Sequence, residues 1–281
     1  ADGGGGMKIY GQYQNINLTN LELDSNTVYC SIYDYCGGSG GGMYIDGNGS
    51  IVQIENVTVS NNISEGYLGG GGGIFIGGSS TILMTSVNVI NNTLNVWEGR
   101  GGGVYASSGV ILHMDNCSIS NNSIGEYGFA GGGVYVNSHG DIIMNNVVIE
   151  NNFGGGFAYS SGGWGIDTPL DSIIMANVVI KNNDGGGMSV EGGHMVMLLD
   201  SVEIINNSAI DGGGFYCYGS SGIPVVDRPL IIGNEILIAN NIASYRYGGG
   251  IYARDCEVRL SGATIVDNTV TEIVRGGGIS L

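Results

Sequence analysis

Two insertions in the sequence carry residue types that could do acid–base chemistry. The first contains Trp164 and Asp167, the second contains Asp227, and His194 lies between them. Hydrolysis of a sugar chain needs two carboxylates beside the scissile bond, and Asp167 and Asp227 would supply that acid and base. Trp164 and His194 would then line the same groove. The alternative is that both insertions are ordinary surface loops, and we adopt this second interpretation, which assigns no catalytic residue.

A row of aromatic residues follows the glycine triplets of the sequence. The second residue after a triplet is predicted to point to solvent, because side chains alternate along a strand. Six of these eight residues are aromatic, namely Tyr44, Phe75, Tyr105, Tyr135, Tyr216 and Tyr252. Either the rings stabilise one another across parallel strands, or they form a binding surface for sugar rings or for a second copy of the chain.

A second outward row is apolar, and only His113 interrupts it. Its members are Leu83, Ile143, Ile174, Leu198 and Ile232. Exposed isoleucine and leucine side chains in a row indicate a contact surface, or a site that a loop covers. The sequence leaves open whether a partner would be another protein or another copy of this chain.

Eight Asn-x-Ser/Thr sequences are potential acceptors of N-linked glycans. Asn17, Asn48 and Asn62 are predicted to be exposed and therefore to be the better acceptors. The acceptors that open asparagine pairs are predicted to be buried in a ladder of stacked side chains. They are Asn91, Asn121 and Asn206.

Five cysteines are present, and their arrangement suits an oxidising compartment. Cys30 and Cys36 are close enough to bridge a local loop, and Cys217 and Cys256 fall in successive repeats, where a bridge can form. Cys117 occupies a core position and is predicted to be a small buried hydrophobe. Acidic residues recur before the glycine triplets with irregular spacing, so we predict solvated turn carboxylates and neither a metal site nor a cofactor.

A repeat that runs through the whole chain must position these residues. Glycine triplets and paired asparagines recur about every 30 residues, as in GGGVYASSGVILHMDNCSISNN from 101 to 122. Within this unit Leu112, Met114, Cys117 and Ile119 alternate with polar residues, which is the period of a strand. Glycine permits sharp turns between strands, and asparagine tolerates the left-handed conformation and can bond to its copies above and below.

Three short strands per unit, each paired with its copy in the next unit, predict an all-β fold. We expect a right-handed, single-stranded parallel β-helix of about nine turns of about 30 residues, with three strands per turn, in a single domain spanning residues 1–281. Neighbouring turns would stack at the strand spacing of about 4.8 Å. Stacked valine, isoleucine and methionine side chains form the predicted core.

The two recurring motifs resemble those of bacterial surface proteins with right-handed parallel β-helix repeats, of the kind found in autotransporter passengers. The unit is similar to the repeats of chlamydial polymorphic outer-membrane proteins, whose GGA[IL] and FxxN signatures recur at comparable spacing. Here the first motif reads GGG[IVMF] and the second reads [VI]x-Asn-Asn, without the phenylalanine. The resemblance covers nearly the whole chain, and it implies secretion and a structural or adhesive role.

Composition and charge narrow the possible partners. The chain has 8 basic and 25 acidic residues and a net charge of −17, which repels nucleic acid and acidic polysaccharides. Hydrophobic residues make up 42%, too many for a disordered chain, and no run of about 20 apolar residues could span a bilayer as a helix. We predict an extracellular or cell-surface protein with no nucleic-acid partner and no membrane-spanning segment.

The two ends of the repeat array carry no predicted cap. Open solenoid ends expose unpaired strands, so the strand from Ile279 to Leu281 could pair with the strand from Met7 to Ile9 of the next copy. Head-to-tail stacking that does not close makes a filament. We therefore predict an extracellular structural or adhesive protein that self-assembles end to end, with glycans as further partners. The alternatives are a carbohydrate-active β-helix enzyme, acting as a polysaccharide hydrolase or lyase, and a monomeric surface adhesin.

Overall fold

The computed structural model describes residues 3–30, 38–107, 109–125, 131–137, 140–161, 171–219, 228–245, 247–272 and 276–280. Every regular element in these residues is a β-strand. None of them forms a helix long and apolar enough to cross a membrane. Three parallel sheets follow the stack of coils, and each coil contributes one strand to each sheet. The predicted all-β parallel solenoid is confirmed.

The strands of the three sheets follow one another in every coil. Sheet 1 consists of Met7–Tyr10, Met43–Asp46, Ile74–Gly77, Val104–Ala106, Val134–Asn137, Phe157–Ser160, Met188–Gly192, Phe215–Gly219, Ile251–Arg254 and Ile279–Ser280. Sheet 2 consists of Asn15–Thr19, Ile51–Glu55, Thr81–Thr85, Ile111–Asp115, Ile142–Asn145, Asp171–Ala176, Met195–Asp200, Leu230–Asn234 and Glu257–Ser261. Sheet 3 consists of Glu22–Asp24, Thr58–Ser60, Asn88–Ile90, Ser118–Ser120, Val148–Glu150, Val179–Lys181, Glu203–Ile205, Leu237–Ala239 and Thr264–Val266.

Further strands lie at the corner where the chain passes from sheet 3 back to sheet 1. A four-stranded group consists of Thr27–Tyr29, Ile63–Gly70, Thr93–Arg100 and Ser123–Ile124. A three-stranded group consists of Ser208–Ala209, Ile242–Ala243 and Thr269–Val270. We number the coils 1 to 9 by their strands in sheet 2, and we call this region the corner.

The coils stack in register, so that each inward residue lies on its equivalent in the next coil. Ile82 pairs with Val52 on one side and with Leu112 on the other, and all three are fully buried. The same alternation holds along the other strands, so the core is one continuous stack of mostly aliphatic side chains. Burial of this apolar surface is the main stabilising term.

Glycine at the corner is required by the close approach of successive coils. A Cβ atom on Gly103 would lie 2.7 Å from the carbonyl oxygen of Gly133 in the next coil. Gly101, at the start of the same triplet, has a φ of 72°, a conformation that side chains other than glycine rarely adopt. The triplets therefore supply both a sharp turn and the space for tight stacking.

A ladder of asparagines, buried in all but its first and last members, joins the coils after sheet 3. The side-chain amide of Asn122 donates to Asn152 Oδ1 at 3.1 Å and to the Val89 carbonyl oxygen at 2.9 Å. Its Oδ1 accepts hydrogen bonds from the backbone and side-chain amides of Asn92, both at 3.0 Å. The full ladder consists of Asn26, Asn62, Asn92, Asn122, Asn152, Asn183, Asn207, Asn241 and Asn268.

The ladder uses the second asparagine of each pair, so the prediction that the first one is buried is wrong. Asn91, Asn121 and Asn206 are exposed, with φ values of 57°, 55° and 56°. The first residue turns the chain in the left-handed conformation, which directs its side chain outward. The next residue points inward, where its amide can bridge two coils.

For the same reason, the prediction of Asn62 as a glycan acceptor is wrong. Asn62 is fully buried, and its side-chain amide donates to the Leu23 carbonyl oxygen and to Asn92 Oδ1 at 2.8 and 2.9 Å. A glycan on this nitrogen would break the ladder. Asn17 and Asn48 are both exposed, and their glycosylation stays a prediction.

The cysteines largely follow the sequence-based expectations. Cys217 and Cys256 form a disulfide bond with a Cα–Cα distance of 6.4 Å. Cys30 is disulfide-bonded, and its predicted partner Cys36 lies outside the described residues. Cys117 is the free thiol among the described cysteines, and burial raises its pKa.

Candidate functional site

The outward aromatic row of sheet 1 is a column of stacked rings. Tyr44, Phe75, Tyr105 and Tyr135 follow one another with centroid distances of 4.8, 5.2 and 5.7 Å and interplanar angles of 13° or less. The rings therefore face one another, and their edges point outward. This geometry favours mutual stabilisation, because a platform for sugars needs free ring faces. The use of these residues as a binding surface stays a prediction.

The column is interrupted for two coils and then resumes. Ala158 and Ser189 occupy the outward position after Tyr135, and the rings of Tyr216 and Tyr252 follow at a centroid distance of 5.3 Å. The corner is shortened at the same place. It spans only residues 153–156 after coil 5 and 184–187 after coil 6, against 123–133 after coil 4.

The long corners lie against the aromatic column, whereas the short ones leave it uncovered. A Cβ atom on Gly70 would lie 2.6 Å from the ring of Tyr105, so the chain there runs directly over the ring. The guanidinium of Arg100 lies 5.3 Å from the centroid of Tyr135. Where the corner is short, both the covering chain and the rings beneath it are missing, which leaves a cavity in the side of the molecule.

We call this cavity the notch. It has a volume of about 870 Å³. Ile124 and Gly125 border it on the side of coil 4, and Tyr216, Ile210 and Ile242 border it on the other side. Its base is formed by the short corners and the strands after them, which contribute Phe153, Gly154, Asp184, Gly185, Gly186, Met188, Ser189 and Glu191.

The notch is acidic. Asp184, Glu191 and Asp211 line it, and none of the described lining residues is basic. Asp184 accepts a hydrogen bond from the Ser208 hydroxyl at 3.1 Å. Burial, and after it the charge of Glu191, raises the pKa of Tyr216 to about 12, so the phenol is neutral at physiological pH. In the described part of the chain, no three His, Cys, Asp or Glu side chains are grouped to hold a metal ion.

Sequence reasoning missed the notch, although a signal for it was present. The sequences NNFGGGF and NNDGGGM leave one residue between the asparagine pair and the glycine triplet. The other repeats place more residues in this interval. The length of the interval therefore marks which coils lack an extended corner.

The two insertions leave the stack on the same side, between sheets 1 and 2, and one coil lies between them. The Ser161 amide donates to the Glu191 carbonyl oxygen at 2.9 Å, and Gly192 pairs with Gly219. The strand Met188–Gly192 therefore lies between the strands that lead into the two insertions, so both insertions start on the same side of the stack, as predicted, with one coil between them. Trp164, Asp167 and Asp227 themselves lie outside the described residues. His194 is described, and it adopts a φ of 53° at the turn before sheet 2.

A buried tyrosine–aspartate pair lies at the base of the first insertion. The Tyr159 hydroxyl donates a hydrogen bond to the carboxylate of Asp171, and both side chains are buried. Burial raises the pKa of Tyr159 far above its usual range, with Asp171 adding to the effect, so the hydroxyl keeps its proton as a donor. Sequence reasoning missed this pair, because an insertion separates its two members along the chain.

The apolar row of sheet 2 forms as predicted. Ile143, Ile174, Leu198 and Ile232 lie side by side on four successive coils. Ile174, Leu198 and Ile232 are 37%, 41% and 37% exposed. The outward row toward sheet 3 is mostly polar, and asparagines of the next coil bond two of its carboxylates, with Asn145 Nδ2 to Asp115 Oδ1 at 2.9 Å and Asn234 Nδ2 to Asp200 Oδ1 at 2.8 Å. The outward row toward sheet 1 includes the exposed Ile51 and Ile111.

No curated protein matches the sequence. Among solved structures, the chain is similar to the A-module of the mannuronan C-5 epimerase AlgE6 of Azotobacter vinelandii. The two share 14% sequence identity over 94% of this chain and 88% of the other, with a TM-score of 0.32. A likeness at this level says nothing about activity.

A family model described as a right-handed β-helix region matches residues 41–228 and 127–281. Together these matches extend over coils 2 to 9, and they agree with the three parallel sheets found there. They also support the right-handed coil that the sequence predicted. The chain therefore belongs to the right-handed β-helix family.

Proposed function

We propose that this protein is an extracellular structural rod that adheres to further copies of itself. The observation that supports this proposal is the apolar row of Ile143, Ile174, Leu198 and Ile232 on the outer face of sheet 2. Apolar side chains in a contiguous, partly exposed row are typical of a contact surface. The outward row of that face toward sheet 3 is mostly polar and bonded within the chain, whereas the row toward sheet 1 adds the exposed apolar residues Ile51 and Ile111.

A second copy is the partner that fits this row. The side chains recur at the coil spacing of about 4.8 Å, and another rod of the same kind has the same spacing. Two copies side by side can therefore bring one apolar side chain against another on each of coils 5 to 8. A globular partner has no such period.

The energy of this contact is small. A fully buried leucine or isoleucine contributes about 1.5–3 kcal/mol, so the exposed parts of Ile174, Leu198 and Ile232 give about 2–3 kcal/mol for each copy. The fixed cost of association is at least about 4 kcal/mol. We therefore expect weak pairing that needs high protein concentration, or many contacts along a filament.

Salt should strengthen this pairing. The net charge of −17 makes two copies repel one another, and ions screen that repulsion within about 10 Å at 0.1 M salt. An association with a basic partner would show the opposite dependence. The direction of the salt effect thus distinguishes self-association from binding of a cationic protein.

The test is sedimentation velocity over a range of concentrations, at low and at high salt. We expect dimers to increase with salt in the wild type and to be lost in Leu198→Lys. Val148→Lys is the matched control, because Val148 is an outward apolar residue on sheet 3. The sheet 2 contact would be excluded if Leu198→Lys and Val148→Lys formed dimers to the same extent, or if the wild type stayed monomeric under all conditions.

End-to-end stacking is a second candidate, in which the next copy would cover the apolar side chains of coils 1 and 9. Ile16 and Leu18 in coil 1 and Val258 and Leu260 in coil 9 are only partly buried, whereas their equivalents in the middle coils are fully covered. In this scheme the strand from Ile279 to Leu281 pairs with the strand from Met7 to Ile9 of the next copy. Leu260→Glu should shorten any filaments seen by electron microscopy and leave side-by-side dimers intact. Filaments of unchanged length would argue against stacking.

An extracellular location is part of the proposal. A disulfide bond joins Cys217 to Cys256, and Cys30 is also disulfide-bonded, which suits an oxidising compartment. The exposed acceptors Asn17 and Asn48 suit the same location if the source attaches N-glycans. Mass spectrometry of the protein from its native source tests both points. Free thiols at Cys217 and Cys256 would contradict the location.

A further inference from the structure

The turn after sheet 3 presents one asparagine side chain to solvent on each of coils 2 to 8. These are the first members of the asparagine pairs, and among them Asn91, Asn121 and Asn206 have φ values between 55° and 57°. The second member of each pair points inward and joins the ladder. The turn therefore holds an exposed amide directly before a buried one.

The position within the pair decides which glycan-acceptor sequences of this turn are accessible. Asn121 and Asn206 open the sequence Asn-Asn-Ser, so each exposed amide is followed two residues later by the hydroxyl that the acceptor sequence requires, at Ser123 and Ser208. Asn62 opens the sequence Asn-Ile-Ser from the inward position and is fully buried. The same turn thus contains both exposed acceptors and a buried one.

Asn91 is a third exposed acceptor in this turn, and two features set it apart. Its side-chain amide donates to Asn61 Oδ1 at 3.3 Å, so a glycan on this nitrogen would displace a bond between coils. It also lies one coil from Asn121, at a spacing of about 4.8 Å, which would bring two sugars against each other. We therefore do not assign Asn91 as a glycan site.

We propose that Asn121 and Asn206 carry N-linked glycans. This proposal rests on the extracellular location proposed above, because the secretory pathway supplies the donor, an oligosaccharide activated as a lipid diphosphate. The asparagine Nδ2 attacks the anomeric carbon of the donor, a C–N bond forms as the C–O bond to the diphosphate breaks, and the amide loses one proton. The left-handed turn directs both side chains outward, so the sugars leave the ladder intact.

The two glycans lie on either side of the notch and away from the sheet 2 face. Asn121 belongs to coil 4 and Asn206 to coil 7, the coils whose corners border the notch. On the two coils between them, Asn151 and Asn182 form the same exposed turn, with φ values of 55° and 54°, but no hydroxyl follows two residues later. Sheet 3 separates these turns from sheet 2, so glycans there do not cover the proposed contact face.

Glycine substitutions remove the acceptors without disturbing the turn, because glycine adopts these φ values readily. Asn121→Gly with Asn206→Gly is the test variant. Asn151→Gly with Asn182→Gly is the matched control, because it changes the same turn in two coils that lack the acceptor sequence.

The experiment is secretion of the full chain from a eukaryotic cell line that attaches N-glycans, followed by enzymatic release of the glycans in heavy-oxygen water. Release converts each modified asparagine to a labelled aspartate, which peptide mass spectrometry locates. We expect label at Asn121 and Asn206 and none at Asn62, with two glycans lost in the test variant and none in the control. The proposal is overturned if Asn121 or Asn206 is unlabelled in the secreted protein, if Asn62 is labelled, or if the control loses as many glycans as the test variant.

A chain that is retained inside the cell calls for one more variant. A glycan on Asn62 would break the ladder, so Ser64→Ala, which removes only that acceptor sequence, should restore secretion with Asn121 and Asn206 labelled. Absence of label from either residue in this variant, secreted or retained, overturns the proposal. Sedimentation of Leu198→Lys reports on the sheet 2 contact whatever the glycan map shows, so the two failures are distinguishable.

Discussion

Replacing one asparagine of the ladder should destabilise the rod far more than replacing its neighbour in the same pair. Asn122→Ala removes the acceptor for two donors, the backbone and side-chain amides of Asn92, both bonded at 3.0 Å. Asn92 is fully buried, so these donors lose their partner away from solvent. A buried donor without a partner costs about 1–3 kcal/mol, and two give a loss of about 2–6 kcal/mol.

The control is Asn121→Gly. Asn121 is exposed and has a φ of 55°, which glycine adopts readily, so we expect a change within about 0.5 kcal/mol. Urea denaturation followed by circular dichroism gives the free energy of unfolding of both variants. Water entering the space left by the Asn122 side chain would move the loss toward the low end of the range.

Amide hydrogen exchange supplies a local measurement that does not depend on two-state unfolding, which long repeat arrays can violate. The backbone amide of Asn92 should exchange faster in Asn122→Ala, because its acceptor is gone. The reasoning is refuted if the variant loses less than about 1 kcal/mol, or if Asn92 keeps its protection.

Three further predictions concern other contacts. Gly103→Ala should lower the free energy of unfolding by about 1–3 kcal/mol, because the new Cβ atom would lie 2.7 Å from a backbone oxygen of the next coil. Gly278→Ala is the control and should leave stability unchanged, because the nearest atom to its Cβ would be 3.9 Å away; equal urea midpoints for the two variants would contradict the steric explanation. Cys256→Ala removes the disulfide bond to Cys217, which closes a loop with a sequence separation of 39. The entropy of closing such a loop predicts that the free energy of unfolding falls by about 4 kcal/mol. An unchanged urea midpoint would show that this bond adds little stability. The pKa of Tyr216 is raised to about 12 in the folded state, above its ordinary value of 10, so the folded state keeps a proton that the unfolded chain releases. The stability that this shift contributes is complete below pH 10 and is lost as the pH rises toward 12. The urea midpoint of Tyr216→Phe should therefore fall less over that interval than the midpoint of the wild type. An equal fall in the two proteins would be evidence against the shift.

The stacking register was predictable because the glycine triplets and asparagine pairs fix where every coil turns. Once the turns are set, strand alternation decides which residues point inward, and Tyr44, Phe75 and Tyr105 align as the sequence implied. The choice of ladder residue within each pair was not predictable in this way. Two adjacent asparagines have the same chemistry, and only the backbone conformation decides which one turns outward.

The notch and the buried pair show two different limits of sequence reasoning. The notch had a signal in the interval between asparagine pair and glycine triplet, but its meaning depends on knowing that long corners cover the aromatic column. The contact between Tyr159 and Asp171 had no signal, because it exists only when the coil closes. Features that arise from packing between distant segments need the structure.

Electron microscopy of the purified chain at low and at high salt tests the proposed self-adhesion most directly. We predict rods that lie side by side in register at high salt, with the sheet 2 faces in contact, and that separate at low salt. Leu198→Lys should leave the rods single under both conditions. Single 29.0 kDa particles of the wild type at every salt concentration would contradict the proposed function.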